Sequence, residues 1–173
     1  MQASSPIAIR WLIRRDLPEV LQIENGSFDD PWTEAEFLEV LKQRNCIGMV
    51  AELSNQVVGY MIYELKKTTL RIMSFAVSPK YRRMGIGKAM FQRLKDKLSQ
   101  QKRSSFETVV KESSLDALLF FKSQGMRAVK IHKDYYVTED GYRMRFSLKD
   151  TAMPVNRISA YFSDEACEGA NRD

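Results

Sequence analysis

A mixed α/β (α+β) domain is the fold class that the 173-residue sequence predicts, on three observations. Segments with a two-residue apolar period alternate with segments of helical period. The composition is globular, with 44% hydrophobic and 28% charged residues, which excludes disordered and collagen-like classes. A basic, glycine-containing loop joins an apolar strand to a long amphipathic helix. We expect one domain over residues 1–149 and a surface-draped or mobile tail over residues 150–173.

The predicted order of elements is βααβββαβαββ, and its first three fall before residue 46. Residues 7–14 alternate apolar and charged side chains, as a strand does. Asp16 is a candidate N-cap for a helix that ends at Gly26. Thr33 and Glu36 form a capping box for a second helix. The positions of the first helix at helical spacing are Leu17, Val20, Leu21 and Glu24.

The later elements follow from the same two periods. The strand predicted over residues 70–77 is mostly apolar, so we place it centrally, covered on both faces. Gly125 is expected to end a helix in the left-handed conformation. A turn is predicted over residues 138–141. The other predicted strands are 47–53, 57–64, 106–110, 126–135 and 142–148, and the helices are 86–101 and 115–123. About seven strands and about four helices result.

Several classes of protein are excluded by residue counts. With one histidine and two cysteines, Cys46 and Cys167, the chain cannot form a Cys/His zinc site or a disulfide scaffold, so no metal is expected. No apolar run approaches the roughly 18 residues that cross a bilayer. The arginines near the N-terminus stand in the wrong order for a secretory signal. We therefore expect a cytoplasmic protein without a membrane partner.

The net charge of +5 is unevenly distributed. Residues 150–173 carry two arginines against five carboxylate side chains, so the first 149 residues carry +8. Such a body favours an anionic ligand, either a phosphorylated cofactor or nucleic acid.

The most informative motif is the loop between residues 77 and 88. Gly85 and Gly87 allow close backbone approach to a ligand, and the first N–H groups of the following helix point outward together. Arg82, Arg83 and Lys88 add positive charge. The loop is neither a P-loop nor a dinucleotide fingerprint, because the required Gly-Lys-Ser/Thr and first glycine are missing. A tight turn with a solvated basic face is the alternative interpretation.

The pattern Arg82-x-x-Gly85-x-Gly87 resembles the acetyl-CoA signature of the GNAT acetyltransferases. The resemblance spans roughly residues 7–148 and is closest to the RimI-like branch, the ribosomal-protein-alanine N-acetyltransferases. It implies a GNAT fold, with the sheet splayed between its fourth and fifth strands. The other segments that carry it are Pro31-Trp32-Thr33, Phe75-Ala76-Val77, Ala117 through Gly125, and Tyr135-Tyr136 with Thr138 and Gly141.

The resemblance implies a site for acetyl-CoA. The backbone of Met84 to Lys88 would hold the pyrophosphate, pantetheine would fill the splay, and the Val77 N–H would be an oxyanion donor. The peptide amine would enter from the opposite side. The residues implied for the cofactor are Phe75, Ala76, Val77, Arg82, Arg83, Met84, Gly85, Ile86, Gly87, Lys88, Ser114, Ala117 and Phe121. Those implied for the substrate are Phe28, Pro31, Trp32, Ser74, Tyr135 and Tyr136.

The sequence departs from the RimI-like pattern at its proton-transfer positions. Val109 stands where the family has a glutamate, Ser114 replaces an asparagine, and Phe121 replaces a tyrosine. Glu107 should share the strand face of Val109 and is a candidate base acting through water, or else a solvated strand-edge carboxylate.

The candidate acids are Tyr135 and Tyr136, unless one lines the peptide groove and the other packs in the core. A peptide α-amine has a pKa of about 8, so roughly a tenth is neutral at pH 7, far more than for lysine. Loss of a base is therefore more tolerable for an α-amine.

The leading hypothesis is an acetyl-CoA-dependent N-acetyltransferase acting on a protein N-terminus, with a ribosomal protein as a candidate acceptor. One alternative is acetylation of a small amine such as a polyamine or antibiotic, and another is a catalytically weakened CoA-binding module. Nucleic-acid binding is the least supported, because the lysines left over beside the loop are scattered. Both a monomer and a homodimer remain open.

Overall fold

A single seven-stranded sheet organises the chain in a computed structural model, which describes residues 6–100 and 102–151, without the side chains of residues 99 and 100. The strand order is β1-β2-β3-β4-β5-β7-β6, and only the β4–β5 pair is parallel. The predicted mixed sheet is confirmed, with the predicted central strand in fourth place. The strands are β1 Ala8–Trp11, β2 Cys46–Leu53, β3 Gln56–Leu65, β4 Thr69–Val77, β5 Ser105–Lys111, β6 Arg127–Tyr136 and β7 Glu139–Ser147.

Helices cover both faces of this sheet. The helices α3 and α4 pack on one face, whereas α1 and α2 pack on the other, over β2, β3 and β4. Their bounds are α1 Leu17–Asn25, α2 Glu34–Leu41, α3 Ile86–Gln100, α4 Leu115–Ser123 and a short α5 Leu148–Thr151. The segment 152–173, with Cys167 and nearly all of the predicted tail, lies outside the described residues, as does the predicted end of α3 at residue 101.

The two predicted helix starts have different outcomes. The capping box at α2 is confirmed, since the Glu36 N–H donates to Thr33 Oγ1 at 3.3 Å and the Thr33 N–H donates to Glu36 Oε2 at 2.7 Å. Asp16 occupies the N-cap position of α1, but its carboxylate caps no helical N–H, so that prediction is wrong. It instead accepts two hydrogen bonds from the Arg10 guanidinium and one from the Ile13 N–H. The guanidinium outcompetes the helix for this buried carboxylate.

A bulge in β4 changes which residues face each helical layer. The register with β3 shifts beside Met73, between the Ser74 and Ile72 pairs. Before the bulge, Ile72 packs under α3, whereas after it Phe75 takes that side and Ala76 packs under α1 and α2. The bulge therefore turns Ser74 toward the face that α1 and α2 cover.

The β4 and β5 strands separate soon after they meet. They pair only from Thr69 to Arg71 on β4, and the last contact is a hydrogen bond of 3.2 Å from Thr108 Oγ1 to the Ile72 carbonyl. Beyond this point the facing edges of β4 and β5 have no ladder bonds, so the sheet is splayed where the resemblance implied.

The β6–β7 hairpin differs from its predicted form. Its turn comprises residues 137 and 138, so the prediction of a turn over 138–141 is wrong. A bulge in β6 accounts for the difference. Asp140 accepts hydrogen bonds from the Asp134 N–H at 3.0 Å and from Lys133 Nζ at 2.6 Å, while Asp134 adopts a left-handed φ of 51°. The bulge fixes how the next two side chains, Tyr135 and Tyr136, are aimed.

Candidate active site

The loop before α3 presents a row of unpaired backbone donors. Within the described ranges, no acceptor contacts the backbone N–H groups of residues 84–88, where α3 begins. Arg83 and Gly85 both have left-handed φ values, 65° and 81°, which turn these groups in one direction. The positive end of the helix dipole adds to this field. Such a loop is suited to binding a phosphate or pyrophosphate group.

The three basic side chains of the loop are not equivalent. Arg83 and Lys88 are exposed beside the free N–H groups. Arg82 is held elsewhere, because its Nε donates to the Val77 carbonyl at 3.0 Å and its Nη2 donates to Ser27 Oγ at 3.1 Å. Its side chain thus ties the loop to the end of β4 and to the segment between α1 and α2.

The edge of β4 that faces the splay carries peptide groups that do not pair with β3, and of these the Val77 carbonyl is taken by Arg82. The Ser78 N–H donates to the Val58 carbonyl at 2.8 Å, which makes Gly59 and Val77 a pair without mutual hydrogen bonds. The Val77 N–H therefore points away from β3, into the splay. By the same alternation, the peptide groups of Phe75 also face the splay.

Aromatic rings close the α4 side of the splay. Phe121 is buried and its ring lies 6.3 Å from that of Phe75. The neighbouring Phe120, which the sequence did not single out, stacks on Phe75 at 5.6 Å, and a Cβ built on Gly87 would lie 2.9 Å from its ring. Among the remaining predicted cofactor residues, Ser114 is the N-cap of α4, Ala117 packs against the core, and Met84 is exposed.

On the face of the sheet opposite to α3 and α4, the buried carboxylate of Glu24 supports the loop of residues 28–32. We call this loop the first wall, because it flanks the splay on that face. Glu24 Oε1 accepts a hydrogen bond of 2.9 Å from the Trp32 N–H, and Oε2 accepts bonds from the Tyr60 hydroxyl and, at 3.3 Å, from Ser74 Oγ. Tyr60 and Ser74 are themselves in contact at 2.8 Å. This network connects α1, β3, β4 and the loop before α2, and burial raises the pKa of Glu24.

The predicted substrate residues of the α1–α2 loop lie next to this carboxylate. The Trp32 ring contacts Phe37 edge-on at 5.3 Å, so Trp32 is part of the packing as well as of the wall. Phe28 is 41% exposed and free to contact a ligand, and Pro31 is half-buried. The sequence missed Glu24, although an acidic residue at an apolar position of α1 was a usable signal.

The end of the β6–β7 hairpin, with Tyr135 and Tyr136, also flanks the splay, and we call it the second wall. The Tyr136 hydroxyl donates to the Val109 carbonyl at 3.2 Å, which places this hydroxyl at the edge of the splay. Burial raises the pKa of Tyr136, so it keeps its proton at neutral pH. Tyr135 is 46% exposed, its ring lies 5.1 Å from that of Tyr136, and its Cβ packs on Gly141. One tyrosine thus reaches the splay while the other faces solvent.

A phosphate-binding loop, a splayed pair of parallel strands and free peptide groups along one of them fit the pyrophosphate and the pantetheine arm of coenzyme A. The family model for the acetyltransferase (GNAT) family matches residues 17–126. The chain belongs to the GNAT family. It is an acetyltransferase, and acetyl-CoA is the acyl donor of this family.

Named relatives of this GNAT protein include N-terminal acetyltransferases. The chain is 26% identical over 126 residues to the [ribosomal protein bS18]-alanine N-acetyltransferase of Escherichia coli K12, covering 73% of this chain and 84% of the relative. It is 27% identical to an N-alpha-acetyltransferase of Sulfurisphaera tokodaii, covering 75% and 86%. The crystal structure of Ard1 from Thermoplasma volcanium superposes with a TM-score of 0.76 at 26% identity, covering 82% and 97%.

The two positions where the resemblance implies a glutamate and a tyrosine carry apolar side chains in the structure. Val109 faces Tyr135 and Gly141 rather than a carboxylate, and Phe121 has no hydroxyl. Glu107 shares the face of Val109 and is half-buried, with Arg71 and Arg145 as its neighbours on β4 and β7. The structure brings Tyr136 and Val109 together at the splay. Glu107 lies two residues before Val109 on β5, which is about 7 Å along the strand.

Other features of this GNAT protein lie away from the splay. A cavity of about 370 Å³ opens between β1, α2 and β2, and a second of about 230 Å³ lies beside Trp11 and Lys97. Cys46 is buried, as a small apolar residue is expected to be. Within residues 6–100 and 102–151, no helix has the length and apolarity to span a membrane, and no three metal-binding side chains cluster.

Proposed function

We propose that this protein transfers the acetyl group of acetyl-CoA to the α-amine of a polypeptide N-terminus. The observation that carries the proposal is the pair of walls on the face opposite the helices α3 and α4. The Glu24-supported loop with Trp32 and the hairpin with Tyr136 flank the splay, so a chain end can enter between them. The two relatives named for N-terminal acetylation support the same reaction.

Acetyl-CoA supplies a thioester whose carbonyl carbon is open to attack by an amine. The chain binds and orients it through the N–H groups of residues 84–88 and the exposed charges of Arg83 and Lys88. The Val77 N–H, which faces the splay, would donate a hydrogen bond to the thioester oxygen and stabilise the negative charge that develops there. The stacked rings of Phe75 and Phe120 would shield the arm from water.

Proton transfer places small demands on the chain when the acceptor is an α-amine. With a pKa of about 8, roughly a tenth of such amines are already neutral at pH 7. We assign Glu107, through water, as the group that receives the amine proton. Tyr136, half-buried and protonated, is the donor to the departing sulfur. Tyr135 lines the groove for the acceptor chain.

The acceptor partner is proposed more narrowly from the relatives. A ribosomal-protein N-terminus is one member of the acceptor class, because one relative bears that substrate in its name. The reaction would then take place in the cytoplasm.

The test is an acetylation assay with peptides that begin with alanine or serine, read by mass spectrometry. The control peptide has a blocked N-terminus and retains an internal lysine. We expect product only with the free N-terminus. Acetylation of the blocked peptide or of polyamines would favour the small-amine reaction. Tight CoA binding without any product would favour a non-catalytic module.

A further inference from the structure

A group of basic side chains lies on the uncovered half of the sheet. Cross-strand pairing puts them in rows over β5, β7 and β6, with Arg145 beside Arg127, Arg143 beside Lys130, and Lys111 in the row of His132. We call this group the basic sheet face. Its members are Lys111, Arg127, Lys130, Arg143 and Arg145.

The alternation of side chains determines which face they occupy. Phe106, Val110, Met144 and Phe146 are buried under α3 and α4. Because successive residues of a strand point to opposite faces, Arg143 and Arg145 point to the face of the two walls. On that face α1 and α2 cover β2, β3 and β4 and do not reach β5, β7 and β6, while the four-residue α5 contacts β7.

The charges of this face are only partly compensated. Glu107 lies on the same face, as the cross-strand neighbour of Arg145. Arg127 pairs with Asp150 at 2.7 Å, and Arg145 donates to Ser105 Oγ at 3.1 Å. Across residues 6–100 and 102–151, neither Lys130 nor Arg143 has a carboxylate within 4 Å. Unpaired cations on neighbouring strands repel each other, which favours an anionic partner.

The positive charge of this face also affects His132, which lies within it. Burial, then Arg143 and Lys130, lower the pKa of His132, while Glu107 opposes them. The Nε2 atom of His132 is shielded from solvent and has no hydrogen-bond partner within the described part of the chain.

The basic sheet face is continuous with the entry of the amine. Arg143 is the cross-strand neighbour of Val109, whose carbonyl accepts the hydrogen bond from the Tyr136 hydroxyl. The Tyr135 ring lies 5.7 Å from His132, so the second wall borders the face directly. Successive rows are about 7 Å apart, which is two residues of an extended chain. An acceptor leaving the walls over β5, β7 and β6 therefore passes these rows with its first few residues.

We propose that the acceptor polypeptide carries acidic side chains at about its third to sixth residues, and that these bind the basic sheet face. The proposal rests on the N-terminal acetyltransferase function and specifies its substrate class. Three strands spaced by about 4.8 Å make a face about 10 Å wide, which is wide enough for one extended chain with its side chains. An acidic segment also offsets the repulsion between Arg143 and a protonated amine.

The experiment compares three peptides that share their first two residues and carry glutamate, glutamine or lysine at positions three to six. We expect kcat/KM to fall about tenfold from glutamate to glutamine and further to lysine, with a difference that shrinks in high salt. The charge-reversed protein K130E/R143E should lose the preference or invert it. The matched control R44E/K67E changes the same charge at exposed positions outside the basic sheet face and should retain the preference.

Binding is measured separately from turnover, by fluorescence anisotropy of the three peptides. Equal binding and equal kcat/KM for all three peptides would overturn the acidic-acceptor proposal while leaving N-terminal acetylation intact. Glutamate-selective binding without acetylation would support the face and contradict the proposed function. Single-stranded RNA that binds through Lys130 and Arg143 while the glutamate peptide does not would also overturn it. If charge reversal unfolds the protein, the neutral pair K130Q/R143Q replaces it.

Discussion

The two halves of the substrate-facing side of the sheet differ in how their polar groups are paired. Over β2, β3 and β4, the helices α1 and α2 bury Glu24 together with Tyr60 and Ser74, and every member of that group has a hydrogen-bond partner. Neither α1 nor α2 packs over β5, β7 and β6, and within the described residues Lys130 and Arg143 have no carboxylate within 4 Å. On the reverse side, one apolar core runs under both halves.

This contrast separates stability from recognition. Where polar groups are buried and paired, removing one partner leaves the others unsatisfied, so substitutions should act on folding. Where charges lie on the surface without a carboxylate partner, substitutions should act mainly on what the surface binds and change folding little. Substitutions in each half of the sheet test this separation.

Removal of the buried carboxylate should show the stability role of the covered half. We expect Glu24→Ala to lower the free energy of unfolding by about 3 kcal/mol, because Trp32, Tyr60 and Ser74 lose an acceptor inside the protein. Urea unfolding measures the change. Stability within error of the unmodified protein would contradict the assignment of Glu24 as the support of this wall.

The control Glu24→Gln retains most of the partners and separates charge from shape. Because the folded pKa of Glu24 is raised above its usual 4.5, its contribution to stability is greatest below pH 4.5 and is lost as pH rises through the folded pKa. The glutamine side chain does not ionise, so the Glu24→Gln variant does not lose this stability as the pH rises. The stability of the variant relative to the unmodified protein should therefore improve from pH 4 to pH 7.

Tyr136 tests the uncovered half. We expect Tyr136→Phe to lower kcat by about 10²-fold with little change in KM, because the proton donor at the edge of the splay is lost. Thermal unfolding should change little, since only one hydroxyl to the Val109 carbonyl is removed. Tyr135→Phe is the matched control and should affect kcat less. A larger loss with Tyr135→Phe would reverse the roles assigned to the two tyrosines.

The ion pair between Asp16, at the start of α1, and Arg10, on β1, should make stability depend on pH. Burial tends to raise the pKa of Asp16, but the hydrogen bonds from Arg10 and the Ile13 N–H lower it below the usual 3.8. Its stabilisation is therefore present above pH 3.8 and lost as pH falls through the folded pKa. We expect Asp16→Asn to cost about 2 kcal/mol at pH 7, measured by urea unfolding, and less at pH 3. A difference that does not depend on pH would exclude this origin.

The smallest expected effect is at the start of α2. Thr33→Ala should cost about 1 kcal/mol of stability, because the cap of the Glu36 N–H is lost. Glu34→Ala, at an exposed position one residue further on, is the control and should cost less. Equal effects in urea unfolding would show that the helix end does not depend on its cap.

Local patterns predicted most of the fold, and contacts between distant segments account for what they missed. The capping box of Thr33 and Glu36 spans three residues, so the sequence alone reveals it. Glu24 was placed at helical spacing, but its partners Tyr60 and Ser74 follow 36 and 50 residues later. The carboxylate of Asp16 turns to Arg10 on a strand, which helical capping rules do not consider.

The basic sheet face shows the same limit for the site. Lys130 reads as one of several scattered lysines along the chain. Only the register of β6 with β7 puts it beside Arg143, and only the register of β7 with β5 puts Arg143 beside Val109. The loop of residues 77–88, by contrast, is contiguous, and its glycines and charges were visible in the sequence.

The short β4–β5 ladder has a thermodynamic consequence. Its three residue pairs are the direct strand pairing between the two halves of the sheet. At the proposed site, a pantetheine arm bonded to the peptide groups of Phe75 and to the N–H of Val77 would add contacts that only the folded chain offers. By linkage, acetyl-CoA at 100 times its dissociation constant stabilises the fold by about 2.7 kcal/mol. Acetyl-CoA would therefore connect the two halves of the sheet in addition to supplying the acetyl group. A melting temperature that rises with the acetyl-CoA concentration would measure this stabilisation.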